Sequence, residues 1–148
     1  MRDDGSVDGH QSRRRFLAAT GTAVTVGLAG CAATLASDGD FDVGMTATAF
    51  TPPTVTIEVG DTVVWKNTSS RGHTVTAYEA VLPEGAAFFA SGGYDDEQTA
   101  RDAYSNSLGG LINSNETYSY TFDVPGEYKY LCIPHEQAGM VGTVVVEA

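Results

Sequence analysis

The sequence predicts an all-β sandwich, and three features of it carry that prediction. From residue 43 onward apolar side chains recur at every second position, Gly and Pro punctuate the runs, and no heptad or internal repeat appears. Period-two alternation marks strands with one buried face. Many short strands, with turn signals roughly every eight to twelve residues, mark an antiparallel sandwich.

The strands follow in order. Val55, Ile57 and Val59 alternate with Thr56 and Glu58, and Gly60-Asp61 turns the chain. Val63, Trp65 and Asn67 share the next inward face, and His73, Val75 and Ala77 alternate with Thr74 and Thr76. Tyr118, Tyr120, Phe122 and Val124 form a further run, and Pro125-Gly126 ends it. Tyr128, Tyr130 and Cys132 then face one way, Lys129 and Leu131 the other, and Val144 and Val146 close the chain. Residues 79–113 break this pattern. Asp95 to Tyr104 reads as a short helix with acidic residues in its first turn, where the helix dipole favours them, and Gly92-Gly93 and Gly109-Gly110 read as turns.

Residues 1–31 read as an address rather than as fold. Ser12-Arg13-Arg14-Arg15-Phe16-Leu17 fits the twin-arginine export pattern. The uncharged stretch Phe16 to Gly30 is shorter than the about 20 residues a membrane-spanning helix needs. It ends in Leu28-Ala29-Gly30-Cys31, which resembles a lipoprotein box, so Cys31 is the expected lipidation site and the mature N-terminus. Residues 32–40 then act as a spacer, and 41–148 form the working domain. The expected location is outside the cytoplasmic membrane, anchored by lipid to its outer face.

The whole chain carries a formal charge of −11. Residues 1–30 hold three acidic and four basic groups, which leaves −12 on 31–148. Nucleic acid is not an expected partner, because neutralising phosphates takes clustered Lys and Arg. An acidic docking surface is one reading of this charge. A surface adapted to high salt, where repulsion is screened, is the reading we favour, and it points to a halophile.

Of the two cysteines, Cys31 is taken by the anchor, which leaves Cys132 as a lone thiol in an oxidising compartment. Its neighbours explain it. Cys132, His135 and Met140 stand in C-x2-H-x4-M spacing, and His73 is the other histidine of the exported part. Taken singly, each has a plain reading: a buried Cys is usually inert core and a Met is filler. A structural zinc site needs four strong ligands, and two His with one free Cys fall short unless a carboxylate joins. Soft sulfur with two imidazoles selects copper, in a His2Cys plane with a weak axial Met. Pro134 stiffens the turn after Cys132, and Gly139 and Gly142 permit a tight path. His73, arriving from an earlier strand, ties the ends of two sheets together.

The segment Tyr130 to Gly142 resembles the ligand loop of plastocyanin-type cupredoxins. Gly60-Asp61-Thr62-Val63-Val64-Trp65-Lys66-Asn67 resembles that family's G-D-x-V-x-W-x-N stretch. The twin-arginine lipoprotein start and the acidic domain resemble the halocyanins of halophilic archaea. The resemblance covers roughly 41–148. It implies an eight-stranded Greek-key sandwich, one type 1 copper ion per chain held by His73, Cys132, His135 and Met140, and one-electron shuttling. Thr74 stands where the family often has an Asn that helps hold the Cys loop. Leu131 stands where plastocyanins have a Tyr beside an acidic docking patch, and Tyr130 points inward. The expected electron port is therefore the solvent edge of His135, with Ile133, Pro134, Ala138 and Val141 as apolar neighbours.

The expected function is electron carriage between redox donor and acceptor proteins of a membrane electron-transport system, by a monomer. An enzyme such as a copper oxidase or nitrite reductase would need histidines for a further copper site, and both in 31–148 are committed. Copper storage or delivery is the alternative. Such a protein would hold its metal more openly.

Overall fold

The structure is a computed structural model and describes residues 41–148. The expected address, Cys31 and the spacer 32–40 lie outside the described residues.

Among the described residues, eight strands form two four-stranded sheets, as expected. In chain order they are β1 (Val43–Met45), β2 (Phe50–Thr51), β3 (Thr54–Glu58), β4 (Thr62–Asn67), β5 (Thr76–Ala77), β6 (Thr117–Thr121), β7 (Gly126–Leu131) and β8 (Val141–Glu147). One sheet runs β2-β1-β4-β6 and the other β3-β8-β7-β5. The chain crosses between the sheets repeatedly, consistent with a Greek-key sandwich.

The sheets are mixed rather than antiparallel. β1 pairs with β4 in parallel, Val43 opposite Trp65, and β3 pairs with β8 in parallel, Val55 opposite Val144. Period two specifies which face a side chain takes, not which strand lies beside it. The alternation therefore placed most inward faces and left the pairing open.

The inward faces meet in an aromatic core. Val63, Trp65 and Asn67 are fully buried along β4, as their alternation requires. Trp65 packs against Tyr118, Phe122, Tyr130 and Phe89. Tyr130 points inward, as expected, and meets Phe50 edge-on at 4.6 Å between ring centroids. Val59 is a correction. β3 ends at Glu58, and Val59 turns out to be 42% exposed beside the Gly60-Asp61 turn.

The segment 73–77 is strand only at Thr76–Ala77. His73 instead forms an isolated bridge with Ile112. Thr74 and Thr76 are buried as well as His73, Val75 and Ala77, so both faces of this stretch are covered.

The 79–113 stretch holds the expected helix, α1 (Glu97–Ser107). It starts two residues later than the sequence suggested, because Asp96 caps it. Its carboxylate accepts from the Thr99 N–H at 2.7 Å, satisfying an amide that the first turn otherwise leaves free. α1 lies against β5. Phe89, from the same stretch, is a full member of the core. It stacks on Tyr120 at 4.7 Å and meets Phe122 edge-on at 5.3 Å.

Candidate metal centre

The site sits where strands of both sheets end. β4 of one sheet ends at Asn67, and the loop after it leads to His73. β7 of the other ends at Leu131, directly before Cys132. The segment Ile133–Ala138 winds as a 3-10 turn with Pro134 in its first positions, where a missing N–H costs nothing. Gly139 ends this turn at φ +85°, a left-handed backbone that disfavours a side chain. Gly142 is required for a different reason. A Cβ there would run into the Tyr130 ring.

Three of the residues expected to be ligands converge. Cys132 Sγ lies 3.5 Å from His73 Nδ1 and 3.4 Å from His135 Nδ1. Their ligand atoms all fall within 4.8 Å of one another, and among the described residues no carboxylate joins the group. Met140 is fully buried beside them. Its carbonyl accepts from the Cys132 N–H at 3.0 Å, and its own N–H donates to the His135 carbonyl at 3.2 Å. His73 and Cys132 are also fully buried, whereas His135 is half-buried.

The surroundings prepare these atoms for a cation. Ser69 Oγ lies 2.9 Å from His73 Nε2 and 2.8 Å from Asn67 Oδ1. A hydroxyl has one proton. Given to Asn67, it leaves Ser69 accepting from Nε2–H, so the unprotonated nitrogen of His73 is Nδ1, the one facing Cys132. Burial lowers the His73 pKa from 6.5 to about 4, helped by the neighbouring His135 and Arg71. Burial also lowers His135, with Arg71 adding to it. Both rings therefore stay neutral and free to bind metal near neutral pH.

The thiol is pushed up by burial, and hydrogen bonds to the sulfur work against that rise. One of these is the Thr74 N–H, 3.5 Å from Sγ. Burial disfavours the anionic form of a thiol, and a cation beside it favours that form. Two neutral imidazoles and a sulfur that accepts an N–H, with a buried thioether close by, form a soft donor set that fits copper. His73, Cys132, His135 and Met140 are arranged as a type 1 copper site.

The residues expected to support the site are all placed. Thr74 holds the Cys loop without an Asn, its Oγ1 accepting the Ile133 N–H at 2.8 Å. Asn67 is fully buried. Its amide nitrogen donates to the carbonyls of Ile112 and Arg71, and its oxygen caps the Ser69 N–H at 2.9 Å. Leu131 is fully buried but lies outside the central core cluster. Ile133 and Pro134 are half-buried, while Ala138 and Val141 are exposed.

Sequence reading missed Ser69, Arg101, Glu136 and Tyr78. Ser69 had a signal, since an Asn at a strand end commonly caps the amide two residues on. Glu136 had only its place beside His135. Arg101 had only the rarity of basic residues, and Tyr78 had none.

Residues 38–147 match the family described as copper binding proteins, plastocyanin/azurin family. The chloroplastic plastocyanin of Tetradesmus obliquus is 38% identical over 101 residues, covering 68% of this chain and 60% of that protein. The plastocyanin of Scenedesmus fuscus is 37% identical over 101 residues, covering 68% and 89%. Among solved structures, amicyanin from Paracoccus versutus aligns with a TM-score of 0.50 and 28% identity, over 71% of this chain and 78% of that one. The Cu(I) form of an amicyanin mutant aligns at 0.52 and 31%, over 75% and 85%. The match of 38–147 takes in the two histidines, the cysteine and the methionine that the fold brings together, and this chain belongs to the plastocyanin/azurin family of copper-binding proteins.

Proposed function

We propose that the chain is a single-electron carrier, with His73, Cys132, His135 and Met140 holding one copper ion of type 1. One observation carries this reading: a buried sulfur with two imidazole Nδ1 atoms within 3.5 Å of it. Copper bound there would supply a one-electron Cu(II)/Cu(I) couple. The chain's part is to keep the donors in place whether or not an electron is present. Ser69 holds the His73 tautomer, Thr74 donates to the sulfur and anchors the following amide, and the buried core shields the centre from water.

His135 is the one ring of the site that is not fully buried, so its outer edge is the electron port. Ile133, Pro134, Ala138 and Val141 offer an apolar rim for brief docking of a redox donor or acceptor. Leu131 is buried where a plastocyanin has a Tyr, which argues against a second route there. Neither histidine of 31–148 is spare for a further copper, which argues against an oxidase or reductase. Storage or delivery is less favoured, because three of the four donors are fully buried.

The address motifs extend the proposal. The twin-arginine pattern and the Cys31 box support export and lipid anchoring on the outer face of the cytoplasmic membrane, as in a halocyanin. The partners would then be membrane electron-transport proteins, met by a monomer.

A visible and EPR spectrum of the copper-loaded protein tests the centre. Intense blue absorption from thiolate-to-copper charge transfer is expected, and Cys132→Ser abolishes it. A colourless copper-loaded wild type would sink the proposal.

A further inference from the structure

The centre's ligand turn is tied to α1. Glu136 follows His135 directly, and its carboxylate receives Arg101 Nη1 at 2.7 Å and Nη2 at 3.1 Å. The Tyr78 hydroxyl donates to the same carboxylate at 2.8 Å. Arg101 is itself held, since its Nε donates to Glu97 Oε1 at 3.0 Å one helical turn back. Tyr78 is held as well, its N–H donating to the Lys129 carbonyl of β7 at 2.9 Å. Glu79 and Glu97 cross-link their segments, each carboxylate accepting the other's backbone N–H, at 2.9 and 3.2 Å.

The turn 133–138 belongs to no sheet. Apart from the Ile133 amide on Thr74, its backbone bonds run within the ligand loop. Among the described residues, Arg101–Glu136 is the ion pair that joins this turn to another element. Two parallel charge-assisted bonds fix orientation as well as distance. The partners' side chains are about 30% exposed, so solvent screens the pair only in part.

We propose that α1 is a brace for the copper loop, with Arg101 a positioning residue that acts through Glu136 to hold the His135 ring where the metal needs it. This rests on His135 being a ligand. The brace keeps the half-buried ligand, the one facing solvent and redox partners, from shifting when the charge at the centre changes. It also gives α1 a task at the site, beside the backbone bonds by which Ile112, from the same 79–113 stretch, holds His73.

The test uses the full-length chain as wild type, Arg101→Gln, Glu136→Gln and Arg101→Lys. In the metal-free protein, amide hydrogen exchange is followed at His135, Gly139 and Met140. Loss of a charged bidentate contact is expected to speed these amides about tenfold in either Gln variant, with β3 and β8 unchanged. In the copper-loaded protein the reduction potential shifts and electron self-exchange slows several-fold, and Arg101→Lys recovers part of both. Loop exchange and potential equal to wild type in Glu136→Gln, which leaves the Arg101–Glu97 contact intact, would overturn the brace. So would equal acceleration throughout β7 and β8, since that is general loosening. A wild type without blue absorption refutes the copper reading instead, and loop exchange still decides the brace.

Discussion

Thr74 contributes two different atoms to the centre: its amide donates to the Cys132 sulfur, and its hydroxyl accepts from Ile133. Thr74→Val keeps the shape and the first contact but leaves the Ile133 N–H without its partner. An amide stripped of its acceptor costs about 1–3 kcal/mol when buried, and this half-buried one belongs at the low end, about 1 kcal/mol. The urea midpoint of the metal-free protein should fall accordingly, and the blue band should shift, because the Thr74 hydroxyl also hydrogen-bonds the sulfur. Ser69 works through the other histidine. Removing the hydroxyl that fixes the His73 tautomer in Ser69→Ala should weaken copper binding about 10–100-fold, as read by competition against a chelator of known affinity. These two residues differ in legibility. Thr74 is conspicuous because it adjoins a ligand. Ser69 lies four positions away and is brought to the ring only by the turn that Asn67 caps.

At the scale of elements, the 79–113 stretch is more than a cover for a sheet edge. Phe89 reaches from it into the centre of the sandwich, where it packs on Trp65, Tyr120, Phe122 and Tyr128. Phe89→Ala is expected to cost about 3–5 kcal/mol, the range for emptying an aromatic site in a core, measured by urea unfolding. A loss below about 1 kcal/mol would mean that the stretch packs independently of the sandwich. The helix in this segment was legible from its acidic start, and Asp96 shows why. Its cap and the dipole both favour a carboxylate at that end. The position of Phe89 was not legible. A single aromatic in a Gly-rich, polar stretch has no period, and only the closed fold shows which gap it fills.

For the whole molecule, the buried imidazole links stability to pH. In the metal-free protein the His73 pKa is about 4 when folded, against 6.5 as its ordinary value. Between these values the unfolded chain binds a proton that the folded chain rejects. Stability is therefore complete above about pH 6.5 and falls as the pH drops toward 4. His135 is shifted in the same direction and adds to the loss. Urea midpoints of metal-free protein at a series of pH values check this. A midpoint that rises on acidification through the window would refute it.

The sequence by itself determined most of the strand faces, the inward Tyr130 and the four residues of the centre. Side-chain period and ligand spacing are local properties, and a chain with one free thiol and two histidines in 31–148 offers few alternatives. Only the tertiary structure decided the parallel pairing of β1 with β4 and of β3 with β8, the aim of His73 Nδ1 at the sulfur, and the reach of Arg101 to Glu136 across 35 positions. Those depend on which segments lie side by side. Such contacts are set by the packing of one aromatic core from two sheets, which no local pattern encodes.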